Sequence, residues 1–191
     1  MSRRLRALTP DELSPAQRVV YDGITGGDRL KGAQHFPVVA QDGSLTGPFG
    51  IMLHAPGVGD ALQQLGTAIR YRTRLTARIR EIAILMVGSA LHSEYESWAH
   101  ERVARAIGFT EDELARLSQG TFEASDAAER AAADLCGTLL TGGAIADGEF
   151  DRYAQTLGVE AVIELTALVG YYRTLAQLLA VFDIGIPDGT D

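Results

Sequence analysis

Apolar residues along this chain recur at helical spacing, and polar or glycine-rich stretches break them into segments. Thr9-Pro10-Asp11-Glu12 and Ser14-Pro15-Ala16-Gln17 both read as helix starts, with a capping hydroxyl, a proline in the first turn and a carboxylate or amide behind it. The second predicts a short helix from about Pro15 to Asp22. Gly23 to Gly47 reads as a long loop punctuated by Gly26-Gly27, Gly32, Pro37 and Asp42-Gly43, a length usual for a lid or an oligomer arm. Phe49 to His54 predicts a short helix stopped before Pro56. Leu62, Leu65, Ile69 and Tyr71 predict the buried side of a helix over about Gly59–Arg72. Thr76 caps the next one, whose Ile79, Ile82, Ala83, Leu85, Met86 and Val87 are apolar nearly all round, the mark of a buried central helix.

Further helices are predicted over Ser93–Ile107, closed by Gly108, and from Thr110-Glu111-Asp112-Glu113 onward. Gly120 to Ala124 reads as a linker. Asp126–Leu140, Asp147–Thr156 and Glu160–Phe182 complete the series. No segment alternates as a strand does, so the expected fold is an all-α helical bundle, its central helix pair bent between Gly88 and Ser93. Three parts are expected within one domain: an N-terminal helix and arm over 1–46, a core over 47–119 and a C-terminal helical half over 120–191. Glu81–Gly88 and Glu164–Gly170 echo each other faintly, as a weak internal repeat or as two unrelated apolar helices.

Composition narrows the function. The chain of 191 residues has a net charge of −8, which disfavours nucleic acid and anionic membrane surfaces as partners. No apolar run follows the basic Met1-Ser2-Arg3-Arg4 start, and stretches such as Ile82–Val87 are too short to span a bilayer. The single cysteine, Cys136, cannot form an intrachain disulfide. It fits a reducing, cytoplasmic setting, and its apolar neighbours suggest inert packing.

The chemistry concentrates between Glu81 and His100. Glu96 and His100 stand four apart and share a helix face, and a carboxylate that orients an imidazole suits acid/base work. Glu81 reaches them if the chain bends near Gly88–Ser93. Tyr95 offers a phenolic donor, and Arg70, Arg72, Arg74 and Arg80 offer guanidinium forks for a carboxylate. Plainer readings stand beside these. Ser93 and Glu96 also have capping-box spacing, Glu81 also suits an ion pair with Arg80, and His100 also suits a packed core. Arg70, Arg72 and Arg74 also read as a solvated helix end, His54 as a helix-end histidine, and Tyr95 and Trp98 as packing or subunit contacts. His92, Glu96 and His100 at successive turns make only a weak metal-ligand set, and no metal is expected.

The stretch EIAILMVGSALHSEYESWAH resembles the carboxymuconolactone decarboxylase and alkylhydroperoxidase D superfamily. Its peroxidase branch places a glutamate, two cysteines and a histidine where this chain has Glu81, Ser93, Glu96 and His100. The blocks Gly47-Pro48-Phe49-Gly50, Leu53-His54-Ala55-Pro56, Leu75–Ile84 and Val169-Gly170-Tyr171-Tyr172 are also similar to the family, over about Leu8–Ile184. Ser93-Glu94-Tyr95-Glu96 resembles the branch in which a tyrosine–glutamate pair replaces the cysteines. The resemblance implies an alkylhydroperoxidase D-like homo-oligomer, trimeric or hexameric, with no cofactor. It also implies a lyase or isomerase moving protons on a small carboxylated or lactone substrate. His100 would be the principal proton carrier, Glu96 its orienting or paired base and Glu81 a supporting residue. Tyr95, His54, Arg74 and Trp98 would bind substrate. Without a cysteine pair a thiol peroxidase is disfavoured. A non-catalytic oligomeric binding protein is the remaining alternative.

Overall fold

The computed structural model describes residues 4–31 and 33–187. The Met1-Ser2-Arg3 start and the loop glycine Gly32 lie outside them. Among the described residues the regular structure is helical: α1 (Pro15–Thr25), α2 (Gly47–Met52), α3 (Pro56–Tyr71), α4 (Ala77–Ala90), α5 (Glu94–Ala106), α6 (Glu111–Gln119), α7 (Ala127–Thr141), α8 (Asp147–Leu157) and α9 (Val159–Phe182). Extended pairing among them is limited to one antiparallel bridge, Val39 with Leu45. It folds the expected long loop back on itself, and a 3-10 turn at Asp28–Leu30 orders the loop's first part.

Local chemistry sets most boundaries. Ser14 and Gln17 form a reciprocal capping box at α1. The Thr76 hydroxyl accepts from Ile79 N at α4, Thr110 and Glu113 box the start of α6, and Asp126 caps two N–H groups of α7. Gly120 and Gly142 close α6 and α7 in the left-handed conformation that costs glycine little.

Helix α4 is the hub, and α5, α6, α7 and α9 pack around it. Ile82, Ala83, Ile84 and Val87 are fully buried because the helix has no solvent face along most of its length. The Glu81–Gly88 and Glu164–Gly170 segments belong to two helices that touch, α4 and α9. Their shared apolar character follows from burying those surfaces.

Two expectations change. On α3 the buried line is Gly59, Gln63, Gly66 and Ile69, while Leu65 and Tyr71 are exposed and Leu62 is half-buried. The helix turns its small residues inward because its neighbours approach too closely for larger ones. A Cβ at Gly59 would collide with the Met52 carbonyl, and one at Gly66 with the Tyr171 hydroxyl and Arg29 Nη2. The second change concerns α9, which is long and apolar enough by composition to cross a membrane. In this fold it packs against α2, α3, α4, α7 and α8. Its apolar positions are spread over 24 residues rather than gathered in one run, so its length is read from helical spacing and no single stretch marks it as long enough to cross a membrane.

Candidate functional site

The α4–α5 connection decides the site. Ser93 N donates to Gly88 O at 2.8 Å, and His92 sits at φ 51°, in the left-handed region that histidine enters more readily than most side chains. This tight reversal lays α5 back along α4. Glu81 and His100, nineteen positions apart, become neighbours with Nδ1 and Oε2 2.6 Å apart. Both are buried, Glu81 at 2% and His100 at 3% exposure. On the other ring edge, His100 Nε2 lies 3.5 Å from Glu96 Oε2. Three of the residues singled out from the sequence thus form one chain of groups, Glu81–His100–Glu96. Glu81, assigned a supporting place, makes the closer contact with the imidazole, and Glu96 the looser one.

Helices α3 and α9 complete the cluster. Arg70 Nη1 lies 3.6 Å from Glu81 Oε1 and donates to the Tyr172 hydroxyl at 3.3 Å. The Tyr172 ring meets His100 edge-on at a centroid distance of 5.2 Å. Burial pushes Glu81 toward its neutral form, but the charges of His100, Arg70 and Arg80 and the His100 hydrogen bond outweigh it. Its carboxyl is held below the usual range. Glu96 behaves oppositely. Burial dominates over the opposing His100 and Arg70 charges, and its carboxyl is pushed up to about 7. Its Oε1 has no hydrogen-bond partner among the described residues. One carboxylate therefore stays ionised and fixes the ring, while the other is poised between its two forms near neutrality.

These groups line a cavity of about 260 Å³. Its wall is shared by α2, α3, α4, α5, α9 and the segment between α1 and α2. Burial drives the Tyr172 phenol above its ordinary value, which keeps it protonated and able to donate. Tyr95 also lines the cavity. Its hydroxyl lies 3.5 Å from the Thr46 hydroxyl, and its ring packs on Gly47, where the backbone takes φ 54°. The capping box open to Ser93 and Glu96 is not formed, since the Ser93 hydroxyl makes no cap hydrogen bond.

The other sequence candidates lie elsewhere. His54 is exposed and its Nε2 pairs with the Arg6 carbonyl. Arg74 is exposed and pairs with Glu160 at 3.0 Å, and Arg72 is exposed too. Of the arginines noted, Arg70 and Arg80 line the cavity. Trp98 packs against Phe36 and Tyr95 beneath the Arg102 guanidinium, outside the cavity wall. His92 lines a separate depression with Ser93 and Ser97. Among the described residues no three His, Cys, Asp or Glu side chains are gathered as a metal site. Cys136 is fully buried in the main core, where burial pushes its thiol up to about 12.

Sequence reasoning missed Arg29, Phe36, Tyr171 and Tyr172 as parts of the wall. Tyr172 stands at helical spacing with Leu165, Leu168 and Leu175, and its signals were a phenol among leucines and its place in the family-like block Val169-Gly170-Tyr171-Tyr172. Arg29, between Asp28 and Lys31, looks like a solvated loop charge.

The comparisons with known proteins agree with this picture at the level of fold and family segment. Residues 56–136 match the model of the carboxymuconolactone decarboxylase family. The matched stretch contains Arg70, Glu81, Glu96 and His100. The apo crystal structure of the debrominase Bmp8 superposes with a TM-score of 0.70 at 18% identity, covering 95% of this chain and 91% of that one. A cysteine-to-alanine variant of Bmp8 in complex with 2,3,4-tribromopyrrole gives 0.70 at 17% identity, covering 98% and 95%. At such identity the likeness is one of fold. No curated protein matches the chain significantly in sequence.

Proposed function

Starting from a segment of carboxymuconolactone decarboxylase type, we propose that this chain is an enzyme of the lyase or isomerase kind, moving a proton on a small carboxylated or lactone molecule bound in the 260 Å³ cavity. The observation that carries the reading is the buried Glu81–His100–Glu96 chain in the cavity wall, with Glu96 Oε1 unpartnered and its carboxyl titrating at about 7. A base near that value is ionised often enough to accept a proton and acidic enough to return it. Glu96 removes a proton from a carbon next to a carbonyl, and the electron pair moves onto the carbonyl oxygen. The proton then returns to a different carbon, which completes an isomerisation. In the lyase case no proton is removed first: the carbon–carbon bond to a carboxylate breaks with loss of carbon dioxide, and its electron pair moves onto the carbonyl oxygen. The protonated form of Glu96 then supplies the proton that takes the vacated place. His100, locked by Glu81, shares the proton with Glu96 through Nε2. This ordering puts Glu96 nearer the substrate than the sequence did.

A thiol route has less support. The Bmp8 complex with 2,3,4-tribromopyrrole is that of a cysteine-to-alanine variant, whereas among the described residues no cysteine lines the cavity here. Oligomerisation is part of the same proposal. Val159, Ile163 and Val181 leave apolar surface exposed on α9.

The test is proton–deuterium exchange followed by NMR in heavy water, with small lactones and unsaturated carboxylates as probes. Wild type is expected to exchange the protons next to the carbonyl. His100→Gln keeps a polar side chain but cannot carry a proton between Glu81 and Glu96, and should slow exchange by about 10²-fold. An unchanged rate in a folded His100→Gln protein would remove the imidazole from the mechanism.

A further inference from the structure

Arg29 is 9% exposed, deep for an arginine, and it stands in the cavity wall. Its guanidinium gives one N–H to the Gln63 carbonyl at 3.1 Å and lies 5.0 Å above the Phe49 ring. Its Nε has no hydrogen-bond partner among the described residues. Among the described residues no carboxylate lies within ion-pair distance of it, whereas Arg70 has Glu81 and Lys31 has Asp28. A buried cation without an anion is a large uncompensated cost, and proteins seldom keep one without use. The imbalance extends to the whole wall. Arg29, Arg70 and Arg80 share the wall with only two carboxylates, Glu81 and Glu96, and Lys31 at its edge is already paired with Asp28, in a chain whose net charge is −8. Positive charge is thus concentrated in the wall of this cavity although the chain as a whole is acidic.

We infer that Arg29 is the specificity-determining residue of this cavity, and that the missing counter-charge is the carboxylate of a planar unsaturated or aromatic substrate. The planar part follows from the other walls. Phe36, Phe49, Tyr71, Tyr95, Tyr171 and Tyr172 supply ring faces and edges suited to a flat π-system. Gly66 makes the subsite possible. It leaves room where the Tyr171 hydroxyl and Arg29 Nη2 come together, and any side chain there would collide with both. Arg29 is carried by the 3-10 turn after α1, and that turn is pinned by Lys31 N to Asp28 O and by Gln34 Nε2 to Arg29 O. Substrate charge is thus read by the N-terminal segment, while the proton-transfer groups sit on α4 and α5.

The inference rests on the proton-transfer reading for its substrate, but binding tests it separately. Benzoate and its neutral isostere benzamide are titrated into wild type, Arg29→Met, Arg29→Lys and His100→Gln, with calorimetry and thermal melting as readouts. Benzoate should bind wild type and prefer it over benzamide. Its affinity should fall about tenfold or more in Arg29→Met, as expected when one partner of a buried charge pair is lost. Arg29→Lys should retain part of it, and His100→Gln most of it. Without ligand, Arg29→Met should melt no lower than wild type, because an uncompensated buried charge has been removed; Thr67 still donates to the Gln63 carbonyl. Benzoate that fails to bind wild type, binds Arg29→Met equally well, or binds no better than benzamide overturns the inference. So does a steep loss of stability in Arg29→Met, which would mark a structural arginine. Arg29-dependent binding without proton exchange would instead leave the anion subsite standing and remove the proton-transfer reading.

Discussion

Replacing Glu96 by glutamine should make the protein more stable, and increasingly so as the pH rises. The carboxyl titrates at about 7 in the folded chain against an ordinary 4.5, with burial as the main cause. A folded value above the unfolded one means that the native state holds its proton more tightly. The stability this contributes is complete below the unfolded value and is lost as the pH rises through the folded one. Integrating the linkage relation, the ionising carboxyl costs wild type about 1 kcal/mol at about pH 5 and about 3 kcal/mol at about pH 8. Glutamine imitates the neutral acid in shape and hydrogen bonding and does not titrate. The advantage of Glu96→Gln should therefore grow by about 2 kcal/mol between the two pH values. Urea denaturation at both, followed by the fluorescence of the single tryptophan, Trp98, measures it. A difference between variant and wild type that does not change with pH would refute the reasoning. A stability advantage that shrinks as the pH rises would mean that Glu96 is held ionised, as Glu81 is.

Glu81→Gln should act in the opposite direction. It removes the anion that faces both His100 and Arg70, and should cost about 3 kcal/mol or more near neutrality. Because the Glu81 carboxyl is held low, its contribution should fade as the pH drops through that depressed value, which acid denaturation curves would display. Gly59→Ala should destabilise by about 1–3 kcal/mol, since its Cβ would meet the Met52 backbone carbonyl rather than a movable side chain; an unchanged melting temperature would contradict the packing of α2 on α3. Cys136→Ser should leave any hydroperoxide consumption with a dithiol reductant unchanged, because the thiol is buried and held protonated. Turnover abolished by that substitution would reopen the thiol route.

The helices were legible in the chain because their ends depend on short-range chemistry. Ser14, Thr76, Thr110 and Asp126 each cap a helix with their own side chains, and Gly120 and Gly142 end one through their own backbone freedom. The nearly continuous apolar surface of α4 likewise announced a central helix, since only burial on all sides accommodates it. Glu96 and His100 could be paired from their spacing, because four positions on a helix place two side chains on one face. Other features depended on surfaces that meet only after folding. The inward face of α3 carries glycines rather than leucines, because the closeness of Met52, Tyr171 and Arg29 decides which residues fit. The Glu81 contact exists because the reversal at His92 returns α5 along α4. Tyr172, 72 positions beyond His100, and Arg29, 71 positions before it, reach the cavity wall through the packing of α9 and of the segment after α1. Local sequence records what a residue can do within a few turns of itself. The charge balance of the cavity and the opposite protonation of two similar glutamates are set by solvent exclusion and by neighbours distant in the chain, so they became visible only in the tertiary structure.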